Sequence, residues 1–251
     1  MSANECACRT FRAVPILLTM RTFGIEIECY GLTPSKFAEN VYRVNDFWAP
    51  ERNVDGIPTL CNPMHLMSSH RSLCLPYYDT NKQHANTYQQ WKIKVDTSID
   101  KVNQHGFELN SPIYNDYESL AWDLKRIIKV VKTVGCTTNN MCGLHVHVGW
   151  DDSLGLKQLK HLDLLKEFWK TVKVPPEFLP KNSRKSYCQI PPQPYDKYSC
   201  LNINSRYPTV EFRLFNCCLN SRYIWRAVKF SLDTTETLNQ FLQGKREQHG
   251  L

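Results

Sequence analysis

The chain has 251 residues, of which 42% are hydrophobic and 22% charged, with a formal net charge of +7; that length allows one large domain or two small ones at roughly 150 residues each. An aromatic content of 12% excludes a disordered chain, and the longest apolar run, Ala13 to Leu18, is far short of the roughly 18 residues of a membrane span. Eleven cysteines, an odd count with Cys217 and Cys218 adjacent and no export signal, read as reduced thiols of a cytoplasmic protein and not as a disulfide framework.

Residues 1–19 read as an N-terminal extension and 20–251 as one domain with irregular insertions near 31–90 and 174–198. The first strand candidate, Phe23 to Tyr30, turns Phe23, Ile25, Ile27 and Cys29 one way and Gly24, Glu26 and Glu28 the other, since side chains alternate along a strand. The first insertion opens with a short helix candidate after Ser35 and becomes rich in Pro, Asn, Ser and His. Within it, Cys61, His65, His70 and Cys74 form C-x3-H-x4-H-x3-C, a spacing for structural Zn²⁺, with unrelated thiols and surface histidines as the alternative.

Beyond it, Trp91, Ile93 and Val95 alternate with Lys92, Lys94 and Asp96, and Phe107 and Leu109 with Glu108 and Asn110. Asp116 can cap a helix in which Leu120, Leu124, Ile127, Ile128, Val131 and Val134 recur at helical spacing, ended by Gly135. Leu144, Val146 and Val148 then alternate with His145 and His147. A second helix follows Ser153, carrying Leu156, Leu159, Leu162, Leu165, Phe168 and Trp169 on one side.

The stretch Lys157 to Lys185 concentrates seven lysines and Arg184, which reads as a solvated helix face or, as the lesser alternative, a nucleic-acid contact. The second insertion holds six prolines between Pro175 and Pro194, which exclude regular structure over most of it and leave a functional loop or a plain linker. Leu201 and Ile203 alternate with Asn202 and Asn204, and Val210, Phe212 and Leu214 with Glu211 and Arg213. A third helix begins at Asn220 or Ser221 and includes Ile224, Ala227, Val228, Ser231, Leu232, Thr235 and Leu238.

Six two-faced strands and three one-striped helices predict an α+β fold: an antiparallel sheet with helices packed on its apolar face. An idle solvated face would also be polar, but such faces favour Thr, Lys, Ser and Gln. Glu26 and Glu28 stand about 6.6 Å apart along one strand, a repulsion that asks for a cation. If the strands are adjacent, Glu26, Glu28, Glu108, His145, His147 and Glu211 converge, with Arg213 at the edge. Carboxylates with imidazole suit Mg²⁺ or Mn²⁺, whereas zinc favours His and Cys. That set permits two-metal hydrolysis or phosphoryl transfer. There is no G-x-x-x-x-G-K-[ST], no G-x-G-x-x-G and no G-x-S-x-G, and no signature singles out a Cys-His nucleophile.

In order, Gly24-Ile25-Glu26-Ile27-Glu28, Asp96-Thr97-Ser98, Gly106-Phe107-Glu108-Leu109-Asn110-Ser111-Pro112, Cys142-Gly143-Leu144-His145-Val146-His147-Val148-Gly149 and Thr209-Val210-Glu211-Phe212-Arg213-Leu214-Phe215 resemble the amidoligases, carboxylate-amine ligases with the catalytic fold of glutamine synthetase. The resemblance spans roughly residues 20–242. It implies a curved sheet, metal ligation by Glu26, Glu28, Glu108, His145 and Glu211, and a phosphate clamp at Arg213. His147, Asn202, Asn204 and Arg206 become candidates for substrate or ATP contacts, with a turn or edge-strand role as the alternative for the asparagines. The implied reaction joins an amino acid, peptide or protein carboxylate to an amine through an acyl phosphate, using ATP and Mg²⁺ or Mn²⁺. The competing readings are a two-metal phosphoesterase or nuclease, and a silent binding protein of the same fold.

Overall fold

The computed structural model describes residues 21–33, 36–37, 40, 72–75, 91–96, 98–99, 105–150, 162–181, 184–186, 188–193, 198–204 and 208–249. Its strands are β1 (Phe23–Tyr30), β2 (Ser72–Leu75), β3 (Trp91–Val95), β4 (Gly106–Asn110), β5 (Gly143–Gly149), β6 (Leu201–Asn204) and β7 (Thr209–Asn216). They form a seven-stranded sheet in the order β2-β3-β4-β1-β5-β7-β6, with every pairing antiparallel. The helices are α1 (Tyr117–Thr133), α2 (Leu162–Trp169) and α3 (Ser221–His249).

The alternation works as the pattern requires: Ile25, Ile27, Phe107, Leu109, Leu144, Val146, Val148, Val210 and Phe212 are all buried on one face. Helix α3 lies on β5 and β7, and α1 packs beside α3. Tyr117 of α1 joins the layers by meeting Phe23 of β1 and Trp225 of α3 at ring separations of 5.8 and 4.2 Å. Along α3, Ala227, Ser231 and Thr235 recur every fourth residue and are fully buried. Ser231 and Thr235 spend their hydroxyls on the carbonyls four residues back, at 2.9 and 2.8 Å, so a stripe of small residues meets the sheet with no polar atom wasted.

Helix α1 begins where expected. Asp116 accepts from the Ser119 amide at 2.7 Å, satisfying one of the free donors of the first turn, and Gly135 ends the helix with a φ of +82° that favours glycine. The third helix starts after Asn220, whose side-chain oxygen accepts from the amides of Arg222 and Tyr223. It continues past Leu238 to His249, because Phe241 and Leu242 renew the apolar stripe and Gln, Lys, Arg and Glu are good helix formers.

Two expectations need correction. The first insertion contributes the edge strand β2, a Ser-Leu-Cys-Leu segment too short for its alternation to be recognised. Arg184, counted in a solvated basic stretch, is fully buried; an irregular segment gives no periodicity from which to read its facing. The proposed zinc ligands Cys61, His65 and His70 lie outside the described residues, as do residues 1–20 and the start of the second helix; Cys74 is placed in β2 by its backbone alone. Among the described residues no helix is long and apolar enough to cross a membrane.

Replacing Asp116 by Ala is expected to lower the thermal midpoint near neutral pH. The hydrogen bonds from Ser119 hold the carboxyl below its ordinary pKa, so the stabilisation is complete above the unfolded value of about 3.9 and fades as pH falls through the lowered folded value. Melting curves at neutral and strongly acidic pH check this: wild type and variant should separate at the first and converge toward the second.

Candidate metal and phosphate site

The polar face carries its side chains in cross-strand register. Glu26 of β1 stands opposite Asn110 on β4 and His145 on β5. Glu28 stands opposite Glu108, His147 opposite Glu211, and Asn202 opposite Glu211 from the other side. The expected adjacency of these strands is therefore met.

Glu26 is the hub. Its Oε1 accepts from the Asn110 amide at 2.8 Å and its Oε2 lies 3.0 Å from His145 Nδ1, while His147 Nε2 approaches Oε1 at 3.3 Å. Glu211 is held in the same manner: Oε2 accepts from Asn202 at 2.8 Å, and Oε1 accepts from Arg213 Nη1 at 2.5 Å. Each of the two carboxylates thus has an asparagine across the ladder that fixes its rotamer, which is how outer partners orient metal ligands.

Among the described residues, Glu26, His147 and Glu211 each offer one ligand atom within 4.8 Å of the others. His147 Nε2 is buried and lies 3.3 Å from Glu26 Oε1, so two carboxylates and one imidazole nitrogen stand close together, a donor set that fits a divalent cation. His145 lies beneath this group: its side chain is 3% exposed against 23% for His147, and its Nδ1 is already engaged with Glu26. Glu28 is as buried as Glu211, its Oε2 accepting from the Gly143 amide at 2.5 Å and its Oε1 3.4 Å from His145 Nε2. Glu108 lies between Glu28 on one side and the backbone of Lys94 on the other.

Charge balance follows from these contacts. Burial pushes the pKa of Glu26 and Glu211 upward. For Glu26 the charge of His147 and the hydrogen bonds from both histidines outweigh it; for Glu211 the adjacent Arg213 and the two histidines do, and both carboxyls end below their ordinary values. Glu28 goes the other way, because burial exceeds the help of His145, Arg184 and the Gly143 amide. For His147, burial depresses the pKa but neighbouring Glu26 raises it above its usual value. The site therefore keeps two ionised carboxylates, Glu26 and Glu211, and a less readily ionised one, Glu28.

Sequence reasoning placed Glu26, Glu28, Glu108, His145, His147, Glu211 and Arg213 on one face, and they lie there. Asn202 is directed at Glu211; Asn204 ends β6 with its side chain outside the described residues, and Arg206 lies outside them altogether. Asn110 was missed as a site residue, although its position two after Glu108 puts it on the same face. Burial raises the thiol pKa of Cys29, Cys136, Cys142, Cys188, Cys200, Cys217 and Cys218, with Cys136 and Cys142 pushed up to about 12, the reverse of what activates a thiol.

A family model described as putative amidoligase enzyme matches residues 19–196, a span that takes in β1 to β5 and stops before β6 and β7. No curated protein matches the chain. The match covers more than half of the 251 residues, and the chain belongs to this amidoligase family.

Proposed function

We propose that the protein is an ATP-dependent carboxylate-amine ligase built on a glutamine synthetase-like catalytic sheet. The observation that carries this reading is the convergence of Glu26, His147 and Glu211 with Arg213 at their edge, in a member of a ligase family. Glu26, His147 and Glu211 would hold Mg²⁺ or Mn²⁺, which supplies charge neutralisation for the β- and γ-phosphates of ATP.

The chain's own residues do the rest. Arg213, one fifth exposed and bound to Glu211, directs a guanidinium to the open side of the site, where it steadies a phosphoryl group in transfer. Asn110 and Asn202 keep the two carboxylates from swinging. A substrate carboxylate oxygen attacks the γ-phosphorus and ADP leaves. An amine then attacks the acyl carbon, inorganic phosphate departs with the C–O bond's electrons, and the amine loses a proton. Held side by side, the reactants gain the advantage of proximity that a free carboxylate and amine lack in water. The acid is read as an amino acid, peptide or protein carboxylate.

The test is ADP release with Mg²⁺ and a panel of amino acids and peptides, with hydroxylamine trapping the acyl phosphate as a hydroxamate. Glu26→Gln and Glu211→Gln should each lower ADP formation at least about a hundredfold while the circular dichroism spectrum stays native. Turnover at the wild-type rate in either variant removes the ligand assignment. Arg213→Met should lower kcat by about a hundredfold with a smaller change in the KM for ATP, since its contact is made most strongly in the transition state. Phosphodiester cleavage without ATP, and no ADP release, would instead assign the face to a nuclease.

A further inference from the structure

The Pro-rich segment between α2 and β6 does more than connect them. Phe178 enters the apolar layer against Phe215 and Phe230, at ring separations of 5.0 and 5.5 Å. The chain then rounds the end of β7: Asn216 accepts from the Lys181 amide at 2.9 Å and donates to the Leu179 carbonyl at 2.8 Å. Arg184 follows, at 2% exposure the bulkiest of the fully buried side chains.

Its guanidinium donates from Nη1 to the Phe215 carbonyl and from Nη2 to the Arg213 carbonyl, the latter at 3.4 Å. These carbonyls flank an irregularity in β7: the β5–β7 register slips between Leu144 and Val146, so that Arg213 and Leu214 together oppose His145. The guanidinium also fills the space where Gly143 lacks a side chain. A Cβ there would fall inside it and stand 3.1 Å from His145 Nε2. Gly143 is two residues before His145 and shares its face, so Arg184 lies on the polar side, beneath the metal group.

We propose that Arg184 is a positioning residue for the metal and phosphate site, an inference that rests on the metal-binding reading above. It acts through two contacts: it pins the β7 irregularity that carries Glu211 and Arg213, and it backs the Gly143–His145 corner from which His145 holds Glu26. Glycine at 143 leaves the space that the guanidinium occupies.

Mn²⁺ titration followed by electron paramagnetic resonance tests this on the whole chain without substrates, with circular dichroism to check folding. Arg184→Met keeps the bulk but removes both guanidinium hydrogen bonds to β7, and Gly143→Ala displaces the guanidinium. Each should weaken Mn²⁺ binding by about ten- to a hundredfold, the range for partners behind a metal ligand. Arg184→Lys should recover only part of it, since one ammonium cannot reproduce the planar fork. The double variant should lose no more than the worse single one, because both changes break one contact. Wild-type Mn²⁺ affinity in folded Arg184→Met or Gly143→Ala overturns the assignment, as does failure of both to fold, which would make Arg184 a folding residue. A wild-type chain that binds no Mn²⁺ overturns the metal reading itself and this inference with it.

Discussion

Glu26 sits on the central strand with Asn110 on one side and His145 on the other, and His147 in reach of the same carboxylate. A charge so placed has little water around it, and it stays ionised because its neighbours supply donors and positive charge in place of solvent. The rest of the polar face is arranged around that requirement. Glu28 could not be equally charged two residues along the strand without cost; it lies deeper, bound to the Gly143 amide, with its pKa raised. Glu211 approaches from the far side of β5 only because Arg213 and Asn202 hold it.

The two faces of the sheet divide the labour. The apolar side, with α1 and α3 laid over it, buries the side chains that stabilise the fold through the area they remove from water. The polar side contributes little of that kind and stores instead a set of opposed charges. A site of this construction tolerates exchange of a carboxylate for its amide, because shape and packing persist while the charge is removed. Catalytic groups on strands are also held more firmly than groups on loops.

Much of this was readable from the residues. Period-two alternation located six strands and told their two faces apart, since a one-residue error in register would have thrown Glu26 or His147 into the core. Helix ends were readable from Asp116, Gly135 and Asn220, whose roles are local. What escaped was non-local or aperiodic. Strand order cannot be read from alternation alone, and the four residues of β2 carry too little pattern. Arg184 lies in a proline-rich stretch where no period tells inside from outside, and its clearest trace is a residue without a side chain, Gly143, forty-one positions earlier. Asn110 and Asn202 were visible on the right face, but their duty toward Glu26 and Glu211 is a matter of which residue stands across the ladder.

The place of β1 in the sheet also governs how the chain comes to be folded. The first of the described strands is the one that ends in the middle, and its partners are distant in sequence: Asn110 is 84 residues from Glu26, and Gly143 is 115 from Glu28. At the ordinary pace of about 5–20 residues per second, a ribosome needs on the order of ten seconds to deliver β4 and β5 after β1 has left the exit tunnel. During that interval a strand with one apolar face, Phe23, Ile25, Ile27 and Cys29, has neither of its ladder partners. The two carboxylates spaced along that strand, Glu26 and Glu28, are the kind of charge that disfavours pairing of an open strand edge with the wrong partner.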